Sequence, residues 1–276
     1  MIAAKPRLSP GLVPALVPGL VPVENALAAV RRQRGPEGTR GVLPGLLLPA
    51  GEPDGWLPAE SFIAGGDRLD DLLDAAKQRW GASPHAAAAL AWRSYTYWLA
   101  LPVVLGWATA RRVPLLDPDD VRWQVSVSHD RPLLTLGLRR ARLAVLAGDP
   151  IATDPVAADH LAGSEPELLA MLRATLREQH LDPLLAALRT RVNLGERTLL
   201  GSLASAVAYA VVRGVEAPPA DQVMAAGTLL TALGLTDLVD FEPGPNGEVA
   251  VRRRTCCLAF TLPEPKVCSG CCLRPA

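Results

Sequence analysis

The first 255 residues contain no cysteine; all five thiols lie between Cys256 and Cys272. A disulfide-stapled scaffold would spread its half-cystines through the chain, so this distribution excludes one and points to thiols gathered for a site. Histidine is also scarce. His85, His129, His160 and His180 are scattered, and none stands at metal-ligand spacing from another. No G-x-x-x-x-G-K-[ST], G-x-G-x-x-G or H-E-x-x-H occurs. The chain therefore lacks the phosphate cradle of a P-loop, the dinucleotide fingerprint and the paired histidines of a zinc protease. His129-Asp130 has no serine in a G-x-S-x-G elbow to complete a hydrolase triad. Charge of one sign is missing too: 28 Lys and Arg balance 28 Asp and Glu. With a pI near 6.9, broad nucleic-acid binding is not expected.

Long unbroken apolar runs are absent as well. Gly11-Leu-Val-Pro, Ala15-Leu-Val-Pro and Gly19-Leu-Val-Pro repeat along the most apolar N-terminal stretch. Proline at every fourth position removes helical amide donors, so no membrane-spanning helix is expected there. Lys5 and Arg7 precede the stretch, but the prolines break the apolar region that an export signal needs. Residues 1–62 hold much of the proline and glycine and read as a loosely packed N-terminal extension, with Leu46, Leu47 and Leu48 resting on the main domain.

What is present is helix. Across 276 residues the hydrophobic fraction is 49%, enough for one sizeable core. Asp67 is placed to cap a helix over 68–80, and Ser83-Pro84 starts another running to about Leu101. Ser164 and Glu167 have capping-box spacing ahead of a helix to about Gln179. Apolar helices are expected over 196–213 and 219–233, the second ended by Gly234. Val121, Trp123, Val125 and Val127 alternate with polar residues, and a turn at His129–Pro132 leads to a strand over 133–138. A second hairpin joins 238–241 to 249–253. Trp92, Tyr95 and Trp98 share one face of their helix and read as core. The expectation is an α+β protein dominated by helices, with a small antiparallel sheet and a C-terminal cysteine-rich tail. Its parts are the extension 1–62, a main domain 63–240 and a cysteine segment 241–276.

The cysteines read C-C-x10-C-x2-C, with Cys272 surplus. Four thiolates suit a soft metal centre, either an iron–sulfur cluster or tetrahedral zinc. Structural zinc favours two C-x2-4-C knuckles, and only Cys268 and Cys271 fit that. Cys256 and Cys257 are adjacent, so on a regular strand they point to opposite faces; both reach one centre only if the backbone leaves strand geometry. A two-iron cluster is larger than one ion and takes ligands on two irons, which makes adjacent ligands easier to place. A redox dithiol at Cys268-Ser-Gly-Cys271 is a third reading, but the five residues after Cys271 give no helix to lower the thiolate pKa.

This pattern, preceded by Val251-Arg252-Arg253-Arg254-Thr255, resembles the C-terminal signature of the FhuF-type ferric-siderophore reductases. The match covers about the last 25 residues; where the family often has proline after the final ligand, this chain has Cys272. The resemblance implies a [2Fe–2S] cluster on Cys256, Cys257, Cys268 and Cys271, passing one electron to Fe(III) in a ferric siderophore. The reductase would draw electrons from a separate donor, a flavoprotein or ferredoxin, since no flavin or nicotinamide motif is present. Arg252, Arg254 and Lys266 are candidate substrate contacts, because cations outnumber carboxylates from residue 241 onward and favour both a reduced cluster and an anionic ferric chelate. On a regular strand Arg253 faces away from its two neighbours. The free thiols point to the cytoplasm, with peripheral contact at the inner membrane face where imported siderophores arrive. The other class of function is a non-enzymatic binding module with a structural zinc site made of four cysteines.

Overall fold

Ser83 Oγ accepts a hydrogen bond from the Ala86 N–H at 3.3 Å, and Pro84 fills the first turn of the helix it caps, α4 (Pro84–Ala110). Proline costs nothing there, because its missing N–H would have had no helical partner. A computed structural model describes residues 17–49, 53–154, 157–244 and 247–274, and α4 is its centre. This helix is apolar on every side and nearly every residue from Ala86 to Trp107 is buried, as a helix surrounded by others requires. It runs past the expected end at Leu101, with Pro102 inside it. An internal proline costs about 3 kcal/mol, and burial of Val103, Val104, Leu105 and Trp107 beyond it offsets that.

Three helices surround α4: α1 (Val21–Arg34), α3 (Asp67–Trp80), which follows the single turn α2 (Glu60–Ile63), and α7 (Glu196–Gly214). Helix α1 corrects the expected loose extension for the described residues that it spans. Leu20, Val23 and Val30 are fully buried, and the repeat prolines Pro18 and Pro22 lie in the first turns of a short 3-10 helix and of α1, where they are tolerated. Leu46 and Leu48 are buried as expected. Residues 1–16, which carry the first part of the repeat, lie outside the described residues. In α3, Asp67 is the first helical residue and not the cap; its carboxylate sits in the first turn, where the helix dipole favours it. Gly81 ends α3 with φ +56°, a left-handed conformation that glycine adopts without strain.

The strands form three sheets. β1 (Val42–Leu47) pairs parallel with β5 (Leu134–Leu138), which pairs antiparallel with β4 (Val121–Val125), and β4 with β2 (Trp56–Pro58). β3 (Arg112–Pro114), β6 (Leu143–Leu146) and β7 (His160–Ala162) form a second, mixed sheet. β8 (Val239–Pro243) and β9 (Val249–Arg253) form the expected hairpin. The fold is α+β and helix-dominated, but two of its sheets contain a parallel pair. Strands of three or four residues, such as β2, β3, β6 and β7, are too short to show alternation.

Ser164 Oγ accepts from the Glu167 N–H at 3.4 Å, and Glu167 Oε2 accepts from the Gly163 N–H at 2.7 Å. The helix so capped, α5 (Glu165–Arg173), does not stop at Gln179. It passes through a π-helical stretch, Ala174–Leu181, into α6 (Asp182–Arg191). The wide turn carries His180 into the core, where its ring bonds Tyr95 Oη at 2.7 Å and the Leu116 carbonyl at 3.0 Å. The carbonyl only accepts, so Nδ1 carries the proton and Nε2 accepts from the tyrosine hydroxyl. Helix α8 (Pro219–Leu233) ends at Gly234 as expected, at φ +68°. Trp92, Tyr95 and Trp98 are all buried, and Trp92 Nε1 donates to the Leu199 carbonyl at 2.8 Å. Among the described residues no helix is long and apolar enough to cross a membrane.

Candidate metal centre

The cysteine segment is fixed to the helical body by β9. Alternation holds along it: Arg253 is 3% exposed and turned toward α7, while Arg252 and Arg254 face outward. Arg253 Nη2 donates to Ser202 Oγ at 2.9 Å, and Tyr209 Oη donates to the Val251 carbonyl at 3.2 Å. Thr255 lies against Gly201 so closely that a Cβ there would overlap its hydroxyl. A small residue in the middle of α7 is what lets the backbone before the thiols reach the helix.

Strand geometry ends at Arg253, before the adjacent pair. Cys256 and Cys257 lie in irregular backbone, and Leu258 follows at φ +61°, a conformation uncommon for a residue with a side chain. This is the departure from the strand that the adjacent pair requires. The Leu258 N–H then donates to Cys256 Sγ at 3.3 Å, and the Ala259 N–H to the Cys257 sulfur. A 3-10 turn at Ala259–Thr261 opens the intervening loop, which closes where the Lys266 N–H donates to the Ala259 carbonyl at 3.0 Å. The second pair sits on a turn in which the Cys271 N–H donates to the Cys268 carbonyl at 3.2 Å. The Gly270 carbonyl accepts from the Arg253 N–H at 2.9 Å, bringing that turn back beside the start of the segment.

The result is a patch of five thiols, free of disulfides. Cys257 lies beside Cys268, and Cys256 beside Cys272; Cys271 is near enough to Cys268 and Cys272 to act on both electrostatically. Cys257 and Cys271 are buried, the other three half-buried. The neighbouring Cys268 thiol, the Ala259 amide and the charges of Arg93 and Arg253 hold Cys257 below the usual thiol range. The neighbouring Cys257, with burial, pushes Cys268 above it. Burial and the neighbouring Cys256 and Cys271 raise Cys272.

Among the described residues no three Cys, His, Asp or Glu side chains converge closely enough to hold a single metal ion. The thiols stand instead as neighbouring pairs. An all-sulfur donor set, with the Leu258 amide on Cys256 and the Arg93 guanidinium beside Cys257, has the donor chemistry that a two-iron cluster would need from four thiolates shared between two irons. The thiol beside Cys256 is Cys272, so the pairing brings Cys272 as well as Cys271 next to the other three sulfurs.

The remaining sequence candidates separate. Arg254 makes a two-pronged pair with Asp240 at 2.8 and 2.6 Å, and Arg252 bonds Glu242 at 3.4 Å and the Arg274 carbonyl at 2.9 Å. Both are engaged on the hairpin's outer face. Lys266 instead lines a cleft of about 640 Å³ that opens beside Cys268. Two arginines that sequence reasoning did not single out share its wall. Arg93 on α4 places Nη1 3.8 Å from Cys257 Sγ, and Arg213 on α7 stacks on Tyr209 with its guanidinium 4.2 Å from the ring centre. The one available signal for Arg93 was its isolation, since it is the only Lys, Arg, Asp or Glu in α4. No family model matches the chain, and no curated protein is significantly similar to it.

Proposed function

We propose that the chain is a ferric-siderophore reductase working through a [2Fe–2S] cluster on Cys256, Cys257, Cys268 and Cys271. The observation that carries this reading is the gathering of paired thiols against two arginines, at the edge of a cleft large enough for a small chelate. When bound, the cluster supplies electrons singly, and one electron converts chelated Fe(III) to Fe(II) with no covalent bond to carbon made or broken. The chain's own residues have other tasks. Arg93 and Arg253 offset the negative charge that grows when an electron arrives, and the Leu258 and Ala259 amides do the same at the sulfurs. Fe(II) is held less tightly than Fe(III) by hard oxygen donors, so reduction loosens the chelate without a protein acid or base. Electrons enter from a separate donor, a flavoprotein or ferredoxin, because the sequence carries no dinucleotide fingerprint. We place this activity in the cytoplasm, near the inner membrane face where ferric siderophores arrive.

The test is the visible absorption and reduced EPR spectrum of protein purified without oxygen, with iron, sulfide and zinc quantified on the same sample. About two irons and two sulfides per chain, and Fe(II) formed from a ferric chelate by the pre-reduced protein, are expected. A colourless protein carrying about one zinc would assign the tail a structural role and end the reductase reading.

A further inference from the structure

The cleft beside Cys268 is charged in one direction. Arg34, Arg40, Arg93, Arg213, Arg253 and Lys266 line it, against a single carboxylate, Glu37, which already pairs with Arg40 at 2.7 Å. Arg93 lies 3.8 Å from the Cys257 sulfur, and the charge of Arg253 also acts on the thiols. Arg34, Arg213 and Lys266 do not, and neither Arg34 nor Lys266 has a carboxylate partner among the described residues. Their charge exceeds what the thiol patch alone requires. Such a cleft sets like charges against one another, and an anion entering it removes that repulsion.

One further observation bears on the chemistry of a ligand. The walls carry flat rings: Trp98 and Tyr97 from α4, and Tyr209 from α7, held by its bond to the Val251 carbonyl. A second cleft of about 550 Å³ shares Trp98 and Lys266 with the first, so the bound molecule has room to extend past them.

We infer that this cleft binds a ferric chelate of net negative charge whose iron donors are carried on aromatic rings, the catecholate or phenolate class, in preference to a neutral trihydroxamate. This rests on the reductase reading and adds the class of substrate. Arg34, Arg213 and Lys266 take the charge, the aromatic walls take the rings, and Cys268 on the wall places the metal-binding sulfurs beside the chelate.

Gallium(III) complexes test binding without electron transfer, because Ga(III) does not accept the electron. The probes are a gallium tris-catecholate of charge −3 and an uncharged gallium trihydroxamate, titrated into the anaerobically purified full chain and followed by tryptophan fluorescence and calorimetry. The anionic complex is expected to bind at least about tenfold more tightly, with the difference shrinking between roughly 50 and 500 mM salt. Arg213→Gln and Lys266→Met should each raise its Kd about three- to tenfold, while Arg189→Gln, which removes a surface pair with Glu196, leaves it unchanged. Equal affinity for the two complexes, or binding of neither, overturns the inference on the unmodified protein alone, whatever the variants do. The iron and sulfide content of the same sample reports on the reductase reading separately, so the failure of one is distinguishable from the failure of the other.

Discussion

Arg93 Nη1 lies 3.8 Å from Cys257 Sγ, linking the middle of the central helix to a thiol 164 residues later. If a cluster occupies the thiols, this charge favours its reduced form. Removing a half-buried cation beside the site is worth on the order of 1–2 kcal/mol, about 40–90 mV for one electron. Arg93→Gln should lower the midpoint potential by that amount, and Arg93→Lys should recover most of it. The check is an EPR-monitored redox titration; an unchanged potential in Arg93→Gln would remove Arg93 from this role.

The surplus thiol gives a second prediction. Replacing Cys256, Cys257, Cys268 or Cys271 by serine should bleach the visible absorption, whereas Cys272→Ser keeps it. Cys272 nevertheless lies beside Cys256. If Cys272→Ser bleached the protein and Cys271→Ser did not, the fourth ligand would be Cys272.

The buried His180 sets a pH dependence. Burial lowers its pKa from 6.5 to about 4. Between those values the unfolded chain binds a proton that the folded chain does not, so stability rises with pH through that window and falls as pH drops from about 6.5 toward 4. The contribution is up to about 3 kcal/mol at neutral pH. His180→Gln cannot be charged, so the stability gap between the two proteins should narrow as the pH falls through this window. Urea unfolding midpoints at intervals from about pH 4 to 7.5 measure it, and a gap that stays constant would show that His180 is not the group responsible.

Two glycines on neighbouring helices should respond oppositely to alanine. At Gly201 a Cβ overlaps Thr255, so Gly201→Ala should cost about 1–3 kcal/mol and loosen the cysteine segment. At Gly227 on α8 a Cβ meets nothing within 4 Å, so Gly227→Ala should stabilise by about 0.5–1 kcal/mol. Differential scanning calorimetry gives both signs; a Gly201→Ala protein as stable as the parent would show that the contact yields cheaply.

Local chemistry was legible where it is written locally. The Ser83 and Ser164 caps, the Gly234 stop, the alternation that turns Arg253 inward, and the break after β9 all depend on neighbours a few residues apart. Pro102 inside α4 and the π-turn carrying His180 were not legible, because burial against distant elements decided against the local preference. The same applies to α1: its prolines suggest a loose segment, but two of them fall where a helix begins.

The sequence by itself determined the candidate donor set of the proposed centre, five thiols and no competing histidine pair, since ligand chemistry is a property of side-chain type and spacing. It also determined a helix-rich body and the hairpin that precedes the thiols. Only the tertiary structure decided which cations serve the site. Arg252 and Arg254, nearest in sequence, are neutralised by Glu242 and Asp240 across the hairpin, while Arg93 and Arg213 arrive from α4 and α7. The reason is physical: a charge acts through distance and screening in three dimensions, and the packing of α4 against α7 sets both.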